Sequence, residues 1–297
     1  MIFETIIGSI KVGGESVLPF LIQEGKVPNK PVIAFEVWDM PPYDFPQSLS
    51  EPFGNALNNP LDWALKCVND YGAKLLCIKL QSINPDTLDK NSKEAVKFIN
   101  NLIKAVDVPL IIQGSGNKEK DNLVLPEIAS IAKGKKYLIG SATQDNYKIL
   151  AKTCIDNNHS IIAESPIDIN IAKQLNILLS DAGVEPSRIV INPTVGSLGY
   201  GLEYAYSIME RARLAALAGD TMLAQSFICF AGQEAWRAKE AKAKMSEMPA
   251  WGDEKKRGLL WEIITAISFL QSGADILVMR HPKAIKAVEN YLNDLLP

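Results

Sequence analysis

Apolar runs rich in Val and Ile recur along this chain, and each is followed by a stretch in which apolar residues return every three or four positions. That alternation is the pattern of buried parallel strands covered by helices. Eight runs qualify as strands: 32–37, 74–80, 109–113, 137–140, 160–163, 188–192, 226–230 and 275–279. Helical periodicity fills 61–71, 92–106, 122–133, 146–156, 167–182, 203–218 and 258–272, and a last helix over 282–295 closes the chain. Eight strand–helix units in one chain of 297 residues predict a (β/α)8 TIM barrel rather than an open sheet. The stops agree, because Gly72, Gly134, Gly183, Gly219 and Gly273 each stand just past a periodic stretch, where helices commonly end.

The first thirty residues read differently. Two strand-like pieces, 4–12 and 16–20, flank Gly13-Gly14 and predict a β-hairpin that caps the barrel. The expected organisation is an N-terminal hairpin extension over 1–30 and a barrel over 31–297. Longer irregular stretches follow the first strand (40–60, rich in proline) and the seventh (242–254), where a barrel would carry lids or partner contacts. Trp251 in the second stretch is expected to pack on something.

Composition narrows the function classes. A net charge of −3 with 22% charged residues gives no electrostatic reason to expect nucleic acid or an anionic membrane as partner. The N-terminus lacks a basic n-region and no apolar run approaches the ~18 residues of a membrane span, so the expected location is cytoplasmic. Four cysteines (Cys67, Cys77, Cys154, Cys229) never fall at C-x-x-C spacing and each sits in an apolar pattern, which predicts buried thiols. With two histidines, His159 and His281, the chain cannot build a multi-histidine metal site.

In a barrel the site lies at the C-terminal ends of the strands. The residues there are Glu36, Trp38, Asp39, Lys79, Gln81, Gln113, Gly114, Ser115, Ser141, Gln144, Glu164, Ser165, Asn192, Thr194, Gly232, Glu234, Arg280 and His281. Amides, hydroxyls and glycines dominate, and no nucleophile stands beside a base in a triad-like order. Lys79 could form a Schiff base as in a lyase or aldolase, but a lysine paired with Glu36 or Glu164 across the mouth is the stronger expectation. Asn192 and Gln113 could hydrogen-bond a flat heterocycle or the amide rim of a large cofactor, or simply bond loop backbone. The loop Thr194-Val195-Gly196-Ser197-Leu198-Gly199-Tyr200-Gly201 suggests that something large approaches its backbone, since three glycines with an aromatic between them exceed what a tight turn needs. That loop and Gly114-Ser115-Gly116 could also cradle a phosphate. The run 234–242 reads as a solvated amphipathic helix, with a partner-facing surface around Trp236 as the sharper alternative.

Several longer stretches carry a more specific likeness: Pro31-Val32-Ile33-Ala34-Phe35-Glu36-Val37, Trp63-Ala64-Leu65-Lys66-Cys67-Val68, residues 168–178, Gly196-Ser197-Leu198-Gly199-Tyr200-Gly201-Leu202-Glu203-Tyr204, Ser207-Ile208-Met209-Glu210-Arg211, Glu234-Ala235-Trp236-Arg237 and Met279-Arg280-His281-Pro282. In these, and over nearly its whole length, the chain resembles the small subunit of the corrinoid iron–sulfur protein, also called the delta subunit of acetyl-CoA decarbonylase/synthase. The resemblance implies a barrel in heterodimer with a large subunit that carries a [4Fe–4S] cluster and the corrinoid-binding domain. It implies that the cobamide sits between that domain and the barrel mouth. The pair would accept methyl from methyltetrahydrofolate through a separate methyltransferase and deliver it to acetyl-CoA synthase in the reductive acetyl-CoA pathway. This chain would then be an accessory subunit rather than the centre of reactivity.

The residues fit that division of labour. No cysteine quartet is present, and the D-x-H-x-x-G corrinoid motif is absent, because Asn157 and Ile162 occupy the positions flanking His159 where Asp and Gly would stand. A mouth without acids or thiols would protect a strongly nucleophilic metal, and the hard chemistry would belong to the cofactor. The candidates for contact with the cobamide, chosen by strand-end placement, are Gln113, Gly114, Ser115, Gln144, Asn192, Thr194, Gly196, Leu198, Gly199 and Tyr200. The rival reading is a self-sufficient pterin-binding methyltransferase barrel using Asn192, Gln113 and an acid such as Glu164.

Overall fold

The computed structural model of the chain describes residues 1–296. A two-stranded hairpin, β1 (Glu4–Ile7) and β2 (Ile10–Gly13), precedes β3 (Val32–Trp38), β4 (Leu76–Lys79), β5 (Leu110–Gln113), β6 (Leu138–Ala142), β7 (Ser160–Glu164), β8 (Ile189–Asn192), β9 (Ser226–Cys229) and β10 (Ile276–Met279). The last eight strands pair in parallel in sequence order, and β10 closes on β3, giving the expected TIM barrel. Each strand falls within two residues of its predicted bounds. The helices are α1 (Gln47–Ser50), α2 (Pro60–Asn69), α3 (Ser92–Ala105), α4 (Lys118–Ile131), α5 (Tyr147–Asn157), α6 (Ile169–Asp181), α7 (Leu202–Leu217), α8 (Ala231–Arg237), α9 (Lys239–Lys242), α10 (Glu254–Ser272) and α11 (Pro282–Leu295).

Strand alternation divides the core into two shells. Ala34, Cys77, Ile111, Leu138, Ile162, Val190, Ile228, Ile276 and Val278 form one buried cluster inside the barrel, while the residues between them join the larger cluster under the helices. Two residues further along each strand, the inward series reaches Glu36, Lys79, Gln113, Gly140, Glu164, Asn192, Phe230 and Arg280. The uppermost inner tier is thus almost wholly polar or small, and it is this tier that the mouth exposes.

The hairpin closes the opposite end, but not where the sequence suggested. It turns at Gly8-Ser9, between the paired residues Ile7 and Ile10, inside the first predicted piece. A two-residue loop with Gly first is a preferred hairpin connection, and Gly8 has φ +58°. Gly13 is instead a packing glycine, since a Cβ there would lie 2.3 Å from the Phe3 carbonyl oxygen. No strand forms over 16–20. Ile7 and Val12 are fully buried and join the barrel-interior cluster, so the hairpin plugs the barrel with side chains worth roughly 1.5–3 kcal/mol each on burial.

The two stretches expected to be irregular are largely ordered into the body. In 40–60, α1 and a following 3-10 turn bury Leu49, Phe53 and Leu57, and Phe45 and Phe53 pack edge-on against Trp63. In 242–254, Trp251 packs under Arg257 and Lys239, whose cationic groups lie 5.7 and 5.9 Å from its ring centre. Neither stretch behaves as a free lid.

Candidate functional site

The polar inner tier separates into two halves of different character. On the side built by β10, β3 and β4, the charges are spent on one another. Glu36 accepts from Arg280 (2.7 Å) and from the indole N–H of Trp38 (2.6 Å), and both partners of this ion pair are buried. The Arg280 guanidinium also lies 5.4 Å from the Trp38 ring and 5.1 Å from the Phe45 ring. Burial alone would raise the Glu36 carboxyl, but the Arg280 and Lys79 charges, with the bonds from Arg280 and Trp38, outweigh it and hold the group below the usual carboxylate range.

Behind this pair, Glu262 of α10 accepts from the backbone N–H groups of Arg280 and His281 and from the Trp236 indole. Burial pushes the Glu262 carboxyl up to about 7. Gly232 is required there, since a Cβ would approach the Arg280 nitrogen to 2.8 Å and Glu262 Oε1 to 3.0 Å. His281 caps α11, its Nδ1 accepting from Lys283 N–H, and burial lowers its imidazole to about 4. Trp236 is therefore not partner-facing: it is 2% exposed, stacked on His281, with Ala235, Ala238 and Ala241 buried beside it. The predicted 234–242 helix is broken at Ala238, whose ψ of 136° separates α8 from α9.

Lys79 stands at the boundary. Its Nζ donates to Gln233 Oε1 (2.6 Å) and lies 5.8 Å from the Trp38 ring centre, so the expected pairing with Glu36 or Glu164 is not made. Arg280 has taken Glu36. Burial lowers the Lys79 ammonium, opposed by the nearby Glu36 charge.

The half built by β5 to β9 is open. A cavity of about 530 Å³ is lined by Lys79, Gln113, Gly114, Ser115, Gly116, Glu164, Ile167, Asn192, Thr194, Val195, Gly196, Tyr200, Phe230, Gln233, Glu234 and Arg237. That size suits a drug-sized ligand or part of a larger one. A side cavity of about 90 Å³ shares Gln113, Gly114, Gly116 and Glu164 with it and adds Lys118, Asp121, Ser141, Thr143 and Asn146. Asn192 donates to Glu164 (3.1 Å) and accepts from Thr194 N–H (3.1 Å). Thr194 has φ +49°, unusual for a β-branched residue, and its hydroxyl is tied to the Ser165 carbonyl at 2.6 Å. Gln113 Oε1 and Ser141 Oγ are shut off from solvent and bonded to nothing.

Seven of the ten candidate residues meet around the larger cavity: Gln113, Gly114, Ser115, Asn192, Thr194, Gly196 and Tyr200. Three do not. Gln144 is exposed and bonds Gln174 (3.0 Å), Leu198 donates its N–H to Thr265 (3.3 Å), and Gly199 is exposed beside Trp261. The glycines also serve a different end from the one expected. A Cβ on Gly196 would stand 2.0 Å from the Tyr200 carbonyl oxygen, so the loop folds onto itself and needs no approaching ligand to explain it. The Gly114 loop is no phosphate cradle, because its amides are occupied: Ser115 and Gly116 N–H donate to Asp121 (2.8 and 3.0 Å), whose carboxyl would lie 2.4 Å from a Cβ on Gly114.

Sequence reasoning missed Phe230, Gln233 and Arg237. Phe230 is the inward residue two beyond Ile228, and Gln233 and Arg237 share a face of α8 at i, i+4 spacing, a signal visible once that helix is known to start at Ala231. The mouth is not free of acids as expected: Glu164 and Glu234 line it, Glu234 meeting Arg237 at 3.1 Å. It does lack thiols and imidazoles. All four cysteines are buried, as expected, and burial pushes each thiol well up, Cys154 to about 12. Among the described residues no group of three or more His, Cys, Asp or Glu is placed to hold a metal ion, and no helix is long and apolar enough to cross a membrane.

The family model described as CO dehydrogenase/acetyl-CoA synthase delta subunit matches residues 7–290. The chain is 39% identical, over 94% of its length, to the acetyl-CoA decarbonylase/synthase complex subunit delta of Methanothermobacter thermautotrophicus, and it spans 70% of that relative. The proteins of the same name from Methanocaldococcus jannaschii and Archaeoglobus fulgidus are each 36% identical over 94% and 97% of the chain, which covers 68% and 64% of them. The chain thus spans about two thirds of the length of these relatives. Among solved structures, dihydropteroate synthase from Thermus thermophilus superposes with a TM-score of 0.60 at 12% identity, covering 98% of this chain and 99% of that one. The Xanthomonas albilineans enzyme gives 0.58 at 14%, over 94% and 98%. At that identity the likeness extends to the barrel fold alone.

Proposed function

The chain belongs to the CO dehydrogenase/acetyl-CoA synthase delta-subunit family, and from that premise we propose that it is the small subunit of a corrinoid iron–sulfur methyl carrier. Its barrel mouth covers a cobamide held by a larger partner subunit, which also bears the [4Fe–4S] cluster. A methyltetrahydrofolate methyltransferase and acetyl-CoA synthase dock on the pair in turn.

The observation that carries this reading is the open half of the mouth. A cavity of about 530 Å³ takes only part of so large a cofactor, which suits a lid and leaves the rest of the corrinoid to the partner. Its wall of amide, hydroxyl and glycine, with Gln113 Oε1 unbonded and the unbonded Ser141 Oγ in the adjoining side cavity, fits the amide-bearing rim of a corrin. Gln113, Asn192 through Glu164, Thr194 and Tyr200 would hold that rim. When bound, the cobalt supplies the chemistry of accepting and releasing a methyl group. This chain's residues orient the cofactor and exclude water, and the absence of thiol and imidazole from the lining keeps competing ligands away from the metal. The test is cobalt content, with identification of co-purifying chains, in the complex isolated anaerobically from the native host. About one cobalt per chain together with a cluster-bearing large subunit is expected, and a metal-free, partnerless protein overturns the reading.

A second reading, a self-sufficient pterin-binding methyltransferase barrel, draws on the Glu164–Asn192 pair, a carboxylate and an amide side by side in a cavity sized for one heterocycle. Titration of the isolated chain with methyltetrahydrofolate separates the two. Saturable binding without a partner favours the second.

A further inference from the structure

Gln113 and Ser141 both line the 90 Å³ side cavity between β5, β6 and β7, and Gln113 Oε1 and Ser141 Oγ are buried without a hydrogen bond. Native proteins rarely leave such atoms unmet, because each gave up water for nothing in return. The same recess contains the Glu164 carboxylate, whose Oε2 takes one bond from Asn192 and which retains further acceptor capacity. Two acceptors and a hydroxyl that can donate, all from residues of one recess, describe the complement of a primary carboxamide: its NH2 supplies two donors, and its carbonyl accepts from Ser141. The volume agrees, since a carboxamide has three heavy atoms and the recess holds about three waters' worth of liquid volume, at roughly 30 Å³ each.

A carboxylate arm would fit worse. It would bring a charge against Glu164 and Asp121 and would have no donor to offer Gln113. Lys118 is the one cation lining the recess, and its Nζ is already paired with Asp145 at the rim. The remaining lining groups, Thr143 and Asn146, bond each other, Thr143 N–H donating to Asn146 Oδ1 at 2.7 Å.

We propose that this recess is a carboxamide subsite that receives one primary amide arm of the cobamide rim and discriminates against the same arm hydrolysed to an acid. The proposal rests on the corrinoid reading above. It is tested with the intact complex of this chain and its large subunit, loaded either with the native cobamide or with each of its mono-acids, in which one amide at a time has become a carboxylate. Release is followed by the visible absorbance of free corrinoid, a readout independent of methyl transfer.

One mono-acid is expected to leave the wild-type complex about tenfold faster than the native cobamide, while the others leave at similar rates. In a Glu164→Gln complex that discrimination should shrink to within about threefold, because the opposing charge is gone. Ser141→Ala should speed release of the native cobamide several-fold. Equal release of all mono-acids from the wild-type complex would overturn the subsite while leaving the corrinoid reading standing. A complex that retains no cobamide at all would overturn both.

Discussion

The two halves of the barrel mouth are made from the same tier of the same eight strands, yet they have opposite designs. On the β10–β3–β4 side, Glu36, Arg280, Trp38, Glu262 and Trp236 bond one another and fill the space, with Glu36 Oε2 and Arg280 Nε left unmet. On the β5–β9 side the polar groups are spaced by Gly114, Gly116 and Gly196, and the result is an open cavity with unmet bonds at Gln113 and Ser141. A buried ion pair is poor at adding stability over an apolar substitute but strongly penalises the loss of one member. The closed half is therefore a rigid reference wall, and the open half is where a ligand can still gain something.

That contrast breaks most visibly at Arg280. Arg280→Ala leaves Glu36 buried and unpaired, and urea unfolding should show a loss of about 3–5 kcal/mol, whereas replacing both members with apolar residues should cost markedly less. Next in size is a pH effect from the same wall. The Glu262 carboxyl is held at about 7 against an ordinary 4.5, so the folded state binds its proton more tightly than the unfolded chain does. Its contribution is whole below about pH 4.5 and is lost as pH rises through 7, a change on the order of 3 kcal/mol. Glu15, held at about 8 at the opposite end of the barrel, works in the same direction. The difference in stability between wild type and Glu262→Gln, followed from pH 5 to 8, isolates the Glu262 part, and the variant should show the shallower fall.

Gly114→Ala probes the seam where the open half meets its supporting loop. The new Cβ would displace the Asp121 carboxyl and unfasten Ser115 and Gly116, for a loss of about 1–2 kcal/mol in thermal or urea unfolding. The smallest effect is expected inside the cavity itself. Gln113 Oε1 and Ser141 Oγ hold no bond, so Gln113→Ala and Ser141→Ala should each change stability by no more than about 0.5 kcal/mol. A large loss in either would mean that these side chains support the fold, and the comparison between the halves would fail.

The strand ends were legible because alternation is a property of the chain itself. Once Ile111 is assigned inward, Gln113 must also face inward, and the same step from Val190 gives Asn192. Gln144, Leu198 and Gly199 fall outside the cavity lining because they lie in loops, where no period says which way a side chain turns. The Gly196 loop misled for a different reason. A glycine forced by a ligand and one forced by the chain's own Tyr200 carbonyl look identical as letters. The hairpin turn was placed five residues late because Gly13-Gly14 is the stronger turn signal locally, while the contact that makes Gly13 a packing residue comes from Phe3 and Ser226.

The sequence by itself determined the barrel, its strand order, the burial of the four thiols and the polarity of the inner upper tier, since each follows from short-range periodicity and residue type. Only the tertiary structure decided how that tier is shared out. Glu36 has one guanidinium within reach, and whether Arg280 or Lys79 takes it depends on the closure of β10 onto β3, between residues 244 positions apart. With Arg280 on Glu36, Lys79 turns to Gln233, Gln113 is left with an unmet oxygen, and the cavity stays open. Competition for a limited number of partners is settled by distance in space, which no local pattern along the chain encodes.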